Sequence, residues 1–519
     1  MPKNNWLICL TLIIILGAFL RGIYFGAIPP SLDWDEASIG YNAYSLFKTG
    51  QDEWGIKLPL IFRAFGDFKL PVYVYMAVVS QATLGMSQVA TRLPSLIAGI
   101  GMILFAFAIG RKAVGNFVGL LTAFLVAISP WTFFLSRIGL EANVCGFLIM
   151  AGLYYLITGK YSRAIILLGL SAWTYNSARI FVPLFLFSYL IFFKQLKKLS
   201  TINYFLFSII FIPMFWQLLN IDGQARYQNL SLIDSGAISR INIWQNEKWG
   251  GRIIYNKATY FVSTAVQNYI SYLSPNFLFL NGGSHYQHSV PGQGLLFLIN
   301  LPLFYFGILV LIYNSKFNIN KFLLLWLFLS PVVGSITRDS PHTTRAIVML
   351  PLPMLISAIG LDFLMNKFKA KNIILGVFFV GLTVGVVGYI PALLSYHKNY
   401  SWAWQYGHEQ AVQYIKSHYA EYDQMVFTKK YGEPHVFVSY FWPWGPNDFQ
   451  KNKIWDYHAN WYWVGQMGKI YFVNDWEMKT YKYSPNTLVV ASPDNDPGGK
   501  ELQRINFLDG KTAFIIRKV

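Results

Sequence analysis

Long apolar stretches recur along the first three quarters of this chain, and no other feature constrains its fold as much. About 20 apolar residues cross the hydrocarbon core of a bilayer as a helix, the form that satisfies every backbone polar group there. Such stretches run approximately over 6–25, 93–110, 117–135, 142–158, 164–175, 181–193, 202–219, 295–313, 322–336, 346–364 and 373–394. Eleven spans is therefore the working count, with the region around Trp173 reading either as one broken helix or as two short ones. Only 13% of the residues are charged, about half of what soluble globular domains carry. A mean hydropathy of +0.38 over this length excludes a disordered chain and argues against an ordinary cytosolic enzyme.

The net charge of +18 would suit nucleic acid or a membrane surface, and its distribution chooses between them. From Tyr396 onward 14 basic residues face 12 acidic ones, so the excess lies in the membrane part. There it gathers at alternate junctions: Lys3, Arg111/Lys112, Lys160/Arg163, Lys194/Lys197/Lys198, Lys316/Lys321 and Lys367/Lys369/Lys371. By the positive-inside rule that face is cytoplasmic. This is topology charge, and a nucleic-acid partner is not expected. An odd span count then puts the N-terminus in the cytoplasm and the C-terminus outside. The first span reads as a retained signal anchor, since its apolar core is long and no small-x-small site follows. Cys9 and Cys145 both lie in apolar runs and support neither a disulfide framework nor a metal site.

Three larger segments consequently face outward: a first loop over about 26–91, a middle loop over about 220–294, and a tail from about 396 to the end. The expected organisation is a transmembrane catalytic domain over 1–395 and an extracytoplasmic α/β domain over 396–519. In the tail, a helix-like stretch over 409–419 alternates with β-rich runs over 436–440, 470–473 and 513–516.

The first outer loop opens with Leu32-Asp33-Trp34-Asp35-Glu36. Asp33 and Glu36 have capping-box spacing, and Lys48 with Gly50 supplies the matching helix end. Helix capping is thus the plain reading of Asp33 and Glu36. Asp35 stands one turn ahead of Ile39, Ala43, Leu46 and Phe47, so the spacing predicts that it heads the apolar stripe. A carboxylate held beside apolar surface is a candidate general base. Lys69, in Phe65-Gly66-Asp67-Phe68-Lys69-Leu70-Pro71, is a cation in an aromatic setting near the membrane boundary. It reads either as an interfacial anchor or as a ligand for an anion.

The acidic pair Asp35-Glu36 just after the first span, followed by Lys69-x-Pro71, resembles the GT-C glycosyltransferases, in particular the protein O-mannosyltransferase and aminoarabinose-transferase branch. The resemblance implies a polytopic α-helical GT-C-like fold of about 11 transmembrane helices with the C-terminal α/β domain outside. It also implies a sugar donor carried on polyprenyl phosphate and a catalytic carboxylate at Asp35, with Glu36 and Glu141 as further candidate catalytic acids. Carrier-phosphate binding is implied at Lys69 and Arg345, with Arg137 and Arg338 as secondary candidates for the same charge. Arg137 and Glu141, in Ser136-Arg137-Ile138-Gly139-Leu140-Glu141, look like the family's second acidic motif, with Glu where many relatives have Asp. An i, i+4 ion pair is the alternative reading. His342-x-x-Arg345, before a span containing Pro351 and Pro353, is similar to the pattern in which an Arg contacts carrier phosphate. Arg338 and Arg345 run against the positive-inside bias, and a guanidinium matches phosphate in a bidentate way. Headgroup anchoring is the other reading of both.

In the middle loop His285-x-x-His288 is half a metal site at most, with no third ligand near in sequence, so polar loop residues are the plain reading. Relatives carry a Gly-rich turn and a His there, which makes His288, like His342, a candidate active-site residue. No cofactor is required; Asp35, Glu36 and Glu141 are one set that could hold a divalent cation. No nucleotide-binding or nucleophile-elbow motif stands in a usable context, so activated sugar would arrive from within the lipid. The expected reaction is inverting transfer to an acceptor hydroxyl on protein, lipid or polysaccharide at the outer face of the cell membrane. A lipid or glycan transporter is the rival, although its ionisable residues would gather near the bilayer midplane. A glycan-holding receptor using the aromatic tail is the third reading.

Overall fold

The computed structural model describes residues 5–220, 224 and 229–519. Lys3 and parts of the middle loop therefore lie outside the described residues. The chain forms two compact units. One is composed of 1–23, 96–136 and 141–392; the other of 24–95, 137–140 and 393–519.

The first unit is helical. Among the described residues, five helices are long and apolar enough to cross a membrane: Asn5–Gly22, Gln88–Ala113, Thr201–Leu218, Asn318–Ser335 and Lys371–Asn399. Shorter apolar helices include Asn116–Ile128, Glu141–Ile157, Tyr161–Ala172, Asn176–Phe192 and Asn300–Tyr313. Two expected spans are interrupted. The one over 117–135 stops at Ile128 and resumes as Pro130–Leu135, because Pro130 has no N–H to continue the ladder. Fully buried Arg21 accepts the geometry of that break, donating to the freed carbonyls of Val126 (2.9 Å) and Ala127 (2.7 Å) and to the Thr132 and Ser136 hydroxyls. The stretch over 346–364 divides likewise into a 3₁₀ turn, Arg345–Met349, and a helix, Leu352–Lys367, on either side of Pro351. Around Trp173 the chain forms two helices that meet at a turn. Close helix packing rests on small residues, as expected where lipid gives no hydrophobic drive between helices. A Cβ on Gly307 would run into the Ile356 carbonyl oxygen, and one on Gly360 into that of Leu303.

The second unit joins the first outer loop and the tail around one apolar core. Leu32, Ala37, Tyr41, Ala64 and Phe65 from the loop pack with Val436, Phe437, Tyr440, Met467, Ile470 and others from the tail. The loop contributes the helices Trp34–Thr49 and Pro71–Leu84 and a hairpin of β1 (Phe62–Ala64) and β2 (Asp67–Lys69). The tail contributes β3 (Gln424–Thr428), β4 (Ile454–His458), β5 (Trp461–Met467), β6 (Ile470–Val473), β7 (Thr487–Ala491), β8 (Lys500–Asn506) and β9 (Thr512–Lys518). These form a sheet in the order β4-β5-β6-β3-β7-β9-β8. Its centre, β6-β3-β7, is parallel and its flanks are antiparallel. Strands were expected over 470–473 and 513–516 and are present there, while the helix expected over 409–419 runs as His408–Ser417. The run over 436–440 is helical instead, within Pro434–Phe441. Every residue of that helix is buried, so its apolar run carries no period to separate helix from strand, and Pro434 at the first helical position starts the turn. It packs closely on the Trp34–Thr49 helix at Gly40, where any Cβ would meet the Tyr440 ring.

Candidate active site

The start of the Trp34–Thr49 helix gives three neighbouring acids three different surroundings. Asp33 is the N-cap: its Oδ1 accepts the Glu36 N–H at 2.8 Å, and the Glu36 side chain reaches back to the Asp33 N–H, closing the expected capping box. Burial, with repulsion from Glu36 and Asp35, holds the Asp33 carboxyl well above the usual carboxylate range. Glu36 is wholly buried and accepts from Arg92 through Nε (2.7 Å) and Nη2 (2.8 Å), and from the Gly139 N–H (2.5 Å). Arg92 is equally buried and gives its other N–H groups to the carbonyls of Pro29 and Ser31. Glu36 is thus committed to protein partners.

Asp35 differs from both. The stripe it was expected to head is buried at Ile39, Ala43 and Leu46 but exposed at Phe47, and the Asp35 side chain itself is 40% exposed. Burial falls on its neighbours because the cap and the Arg92 pair draw Asp33 and Glu36 inward. The carboxylate of Asp35 instead meets Lys69 Nζ at 2.8 Å.

Lys69 closes β2, paired with Phe62 across the hairpin, and its side chain is only 9% exposed. The turn at Phe65-Gly66 is tightly held. Phe65 takes the left-handed conformation (φ 56°), stacks on Trp461 at 5.7 Å and accepts the Tyr462 N–H through its carbonyl. A Cβ on Gly66 would lie 2.8 Å from the Asn460 carbonyl oxygen. Lys69 Nζ stands 5.1 Å from the Phe65 ring centroid, within cation–π range. Sheet and turn therefore aim this ammonium at Asp35.

Arg137 lies in the turn between helices, not on one helix with Glu141, so the i, i+4 ion pair has no helix to act on. It is buried and donates to the carbonyls of Ile28 (2.9 Å) and Tyr24 (2.7 Å). Glu141 opens the Glu141–Ile157 helix, where a first-turn acid is favoured by the helix dipole.

Within the membrane unit, Arg345 begins the 3₁₀ turn, buried, and donates to Thr337 Oγ1 (2.8 Å) and to the Arg338 carbonyl. It lines a cavity of about 130 Å³ together with Arg179, Asn176, Tyr175, Leu218, Leu230 and Ile336. Arg179 went unnoticed in the sequence. It donates to the Ala172 carbonyl and to Gln217, and lies over the Trp173 ring. Its signal was the one that marked Arg338 and Arg345: a cation at a span end away from the basic junctions. Arg338 is half exposed near Asp339 (3.7 Å) and Asp234 (3.9 Å). The Tyr175 hydroxyl bonds Thr344 Oγ1 at 2.9 Å, and Thr344 bonds His342 Nδ1 at 2.9 Å. His285, His288 and His342 gather, with His288 4.3 Å from His285 and 5.0 Å from His342, ring centroid to centroid. Among the described residues no group of three or more His, Cys, Asp or Glu has the arrangement to hold a metal ion.

This architecture, helical in one unit and α/β in the other, is shared with solved structures of other proteins. Solved structures of ArnT from Cupriavidus metallidurans share it: the form bound to undecaprenyl phosphate is 12% identical, covers 99% of this chain and 98% of its own, and superposes with a TM-score of 0.54. The apo form gives 11% identity, the same coverage and a TM-score of 0.55. The Archaeoglobus fulgidus oligosaccharyltransferase tethered to an acceptor peptide containing an NVT sequon is 13% identical, with 85% of this chain and 63% of that one covered and a TM-score of 0.51. No protein-family description matches the sequence, and no curated protein sequence does.

Proposed function

We propose that this protein is an inverting glycosyltransferase that moves a sugar from a polyprenyl-phosphate carrier to an acceptor hydroxyl at the extracytoplasmic face. The observation that carries the reading is the 2.8 Å pair between half-exposed Asp35 and Lys69, on a chain that shares its fold with ArnT bound to undecaprenyl phosphate. Asp35 is the acid of the helix start that is neither a cap nor consumed by a buried arginine. It is the general base: its carboxylate takes the proton of the acceptor hydroxyl as that oxygen bonds the anomeric carbon. The bond from the anomeric carbon to the phosphate oxygen breaks, and its electron pair leaves with the phosphate. Lys69 passes from Asp35 to the departing phosphate, where charge grows and a fixed cation lowers the barrier most.

In the membrane unit, the cavity beside Arg345 and Arg179 combines guanidinium groups with apolar walls, the chemistry of a phosphate head on an isoprenoid chain. His288 and His342 are proposed as polar neighbours of the donor, and Arg338 as a headgroup contact. The basic junctions support a cytoplasmic N-terminus, with the loop and tail outside. No resident metal is assigned: Glu36, one of the three acids considered for it, already spends both oxygens on protein donors. Transfer is accordingly expected to persist in excess chelator, and its loss would restore a cation to the site.

The deciding experiment is single-turnover transfer by membranes supplied with defined polyprenyl-phosphate sugars, with products read by mass spectrometry. Asp35→Asn is expected to slow transfer by about 10²–10⁴-fold with the fold retained. Turnover near the parent rate would remove Asp35 from the reaction.

A further inference from the structure

Where β3 and β6 end, side by side and parallel, the sheet opens a hollow of about 340 Å³ against the β4–β5 hairpin. The carboxyl ends of parallel strands are the usual place for ligands in α/β sheets, and this volume lies in the ~300–1,000 Å³ range of small-molecule sites. Nothing in the reaction above uses it.

Its walls combine aromatic surface with both donors and acceptors. Trp463 lines the hollow, held by its Nε1–H to the His458 carbonyl at 3.3 Å and by the His458 ring stacked at 5.4 Å. Trp455 stands at the rim, 45% exposed. Lys429 enters from the end of β3, its Nζ 5.0 Å from the Trp463 ring, and Asn474 from the end of β6. Asp456 and His458 reach in from β4, bonded to each other at 3.0 Å. Gly465 leaves the hollow open: a Cβ there would touch nothing closer than the Ile454 carbonyl at 3.8 Å. Behind Asn474 the wall is rigid, since Asp475 is held by Thr428 and Asn495, both at 2.7 Å.

We propose that this groove binds a neutral saccharide, and that it does so to hold the acceptor glycan of the transferase. The second half of that statement rests on the proposed function; the first does not. A pyranose presents an apolar C–H face to an indole and a rim of hydroxyls that donate and accept at once, and the groove has a partner for each. The charge balance argues against an anionic ligand, because the single ammonium of Lys429 is already faced by Glu433, Asp456 and Glu477. A peptide adding a strand to the β4 edge is opposed by the register shift between Ile454 and Trp455, which breaks the flat edge such pairing needs.

The test is titration of the full-length protein in detergent with maltohexaose, cellohexaose and mannohexaose, followed by tryptophan fluorescence and saturation-transfer NMR. At least one should bind saturably, with Trp463→Ala weakening it tenfold or more. Asp456→Ala alters an exposed side chain and should weaken the same ligand while leaving the fold intact. No saturable binding by any of the three, or binding unchanged in both variants, overturns the proposal. So does a groove-dependent signal only from an extended decapeptide or from phosphatidylglycerol vesicles. Asp35→Asn should slow transfer by about 10²–10⁴-fold yet bind saccharide as the parent does; if it transfers normally while saccharide still binds, the catalytic reading fails and the groove stands.

Discussion

Asp33, Asp35 and Glu36 are one chemical type within one helical turn, and what surrounds each decides its use. The buried Glu36–Arg92 pair predicts that Glu36→Ala leaves an uncompensated guanidinium and lowers stability by about 3–5 kcal/mol, read as a fall in thermal midpoint. Asp35→Asn, at a half-exposed position, should leave the melting point near the parent's while transfer falls. The capping box was legible because it is local, whereas Asp35, expected against the buried stripe, is 40% exposed. Spacing did not show that Glu36 is also held by Arg92, 56 residues along the chain. In the tail, burial alone would raise the Asp475 carboxyl, but hydrogen bonds from Thr428, Asn495 and Ser492 and the charge of Lys430 leave it below the usual aspartate range. A depressed native value contributes stability that is complete above the ordinary value of 3.8 and is lost as pH falls through the native one. Asp475→Asn should therefore destabilise at neutral pH, with its unfolding midpoint converging on the parent's below pH 3.8.

At the scale of elements, the β1–β2 hairpin is the part whose geometry most directly sets the candidate chemistry, because it carries Lys69. Gly66→Ala forces a Cβ against the Asn460 carbonyl and the Trp461 ring, so the turn must shift. The expected outcome is slowed transfer with little change in donor KM, since the cavity beside Arg345 is untouched; a parent-like rate would show that the hairpin does not position Lys69. The apolar runs were readable as helices because a membrane helix is defined by composition over about 20 residues. The breaks at Pro130 and Pro351 were not, as proline is tolerated in such helices wherever neighbours satisfy the freed carbonyls, which Arg21 does at the first break. The run over 436–440 reads as a strand in sequence, yet lies in the helix Pro434–Phe441, because an element buried on every side has no polar face to set a period.

For the molecule as a whole, the first loop and the tail share one core, so neither is expected to hold its structure alone. Deleting 400–519 uncovers Leu32, Ala37, Tyr41 and Phe65, and limited proteolysis of the remaining membrane protein should then gain a cut near residues 52–54, which Gln450, Lys453 and Trp455 cover in the parent. In the membrane unit, Arg345→Lys keeps the charge but loses the planar fork, and should raise the donor KM about tenfold. It should lower the melting point only modestly, since the ammonium retains a donor for Thr337 or the Arg338 carbonyl. Membrane residence, the placement of basic junctions and the capping box were legible in the sequence, because each depends on composition or on spacing within a few residues; Asp35 and Lys69 were joined only through the family resemblance. The tertiary structure alone decided which acid stays accessible, that Arg179 joins Arg345 at a cavity, and that loop and tail fold together. Those outcomes depend on contacts between residues tens to hundreds of positions apart, which no local pattern encodes.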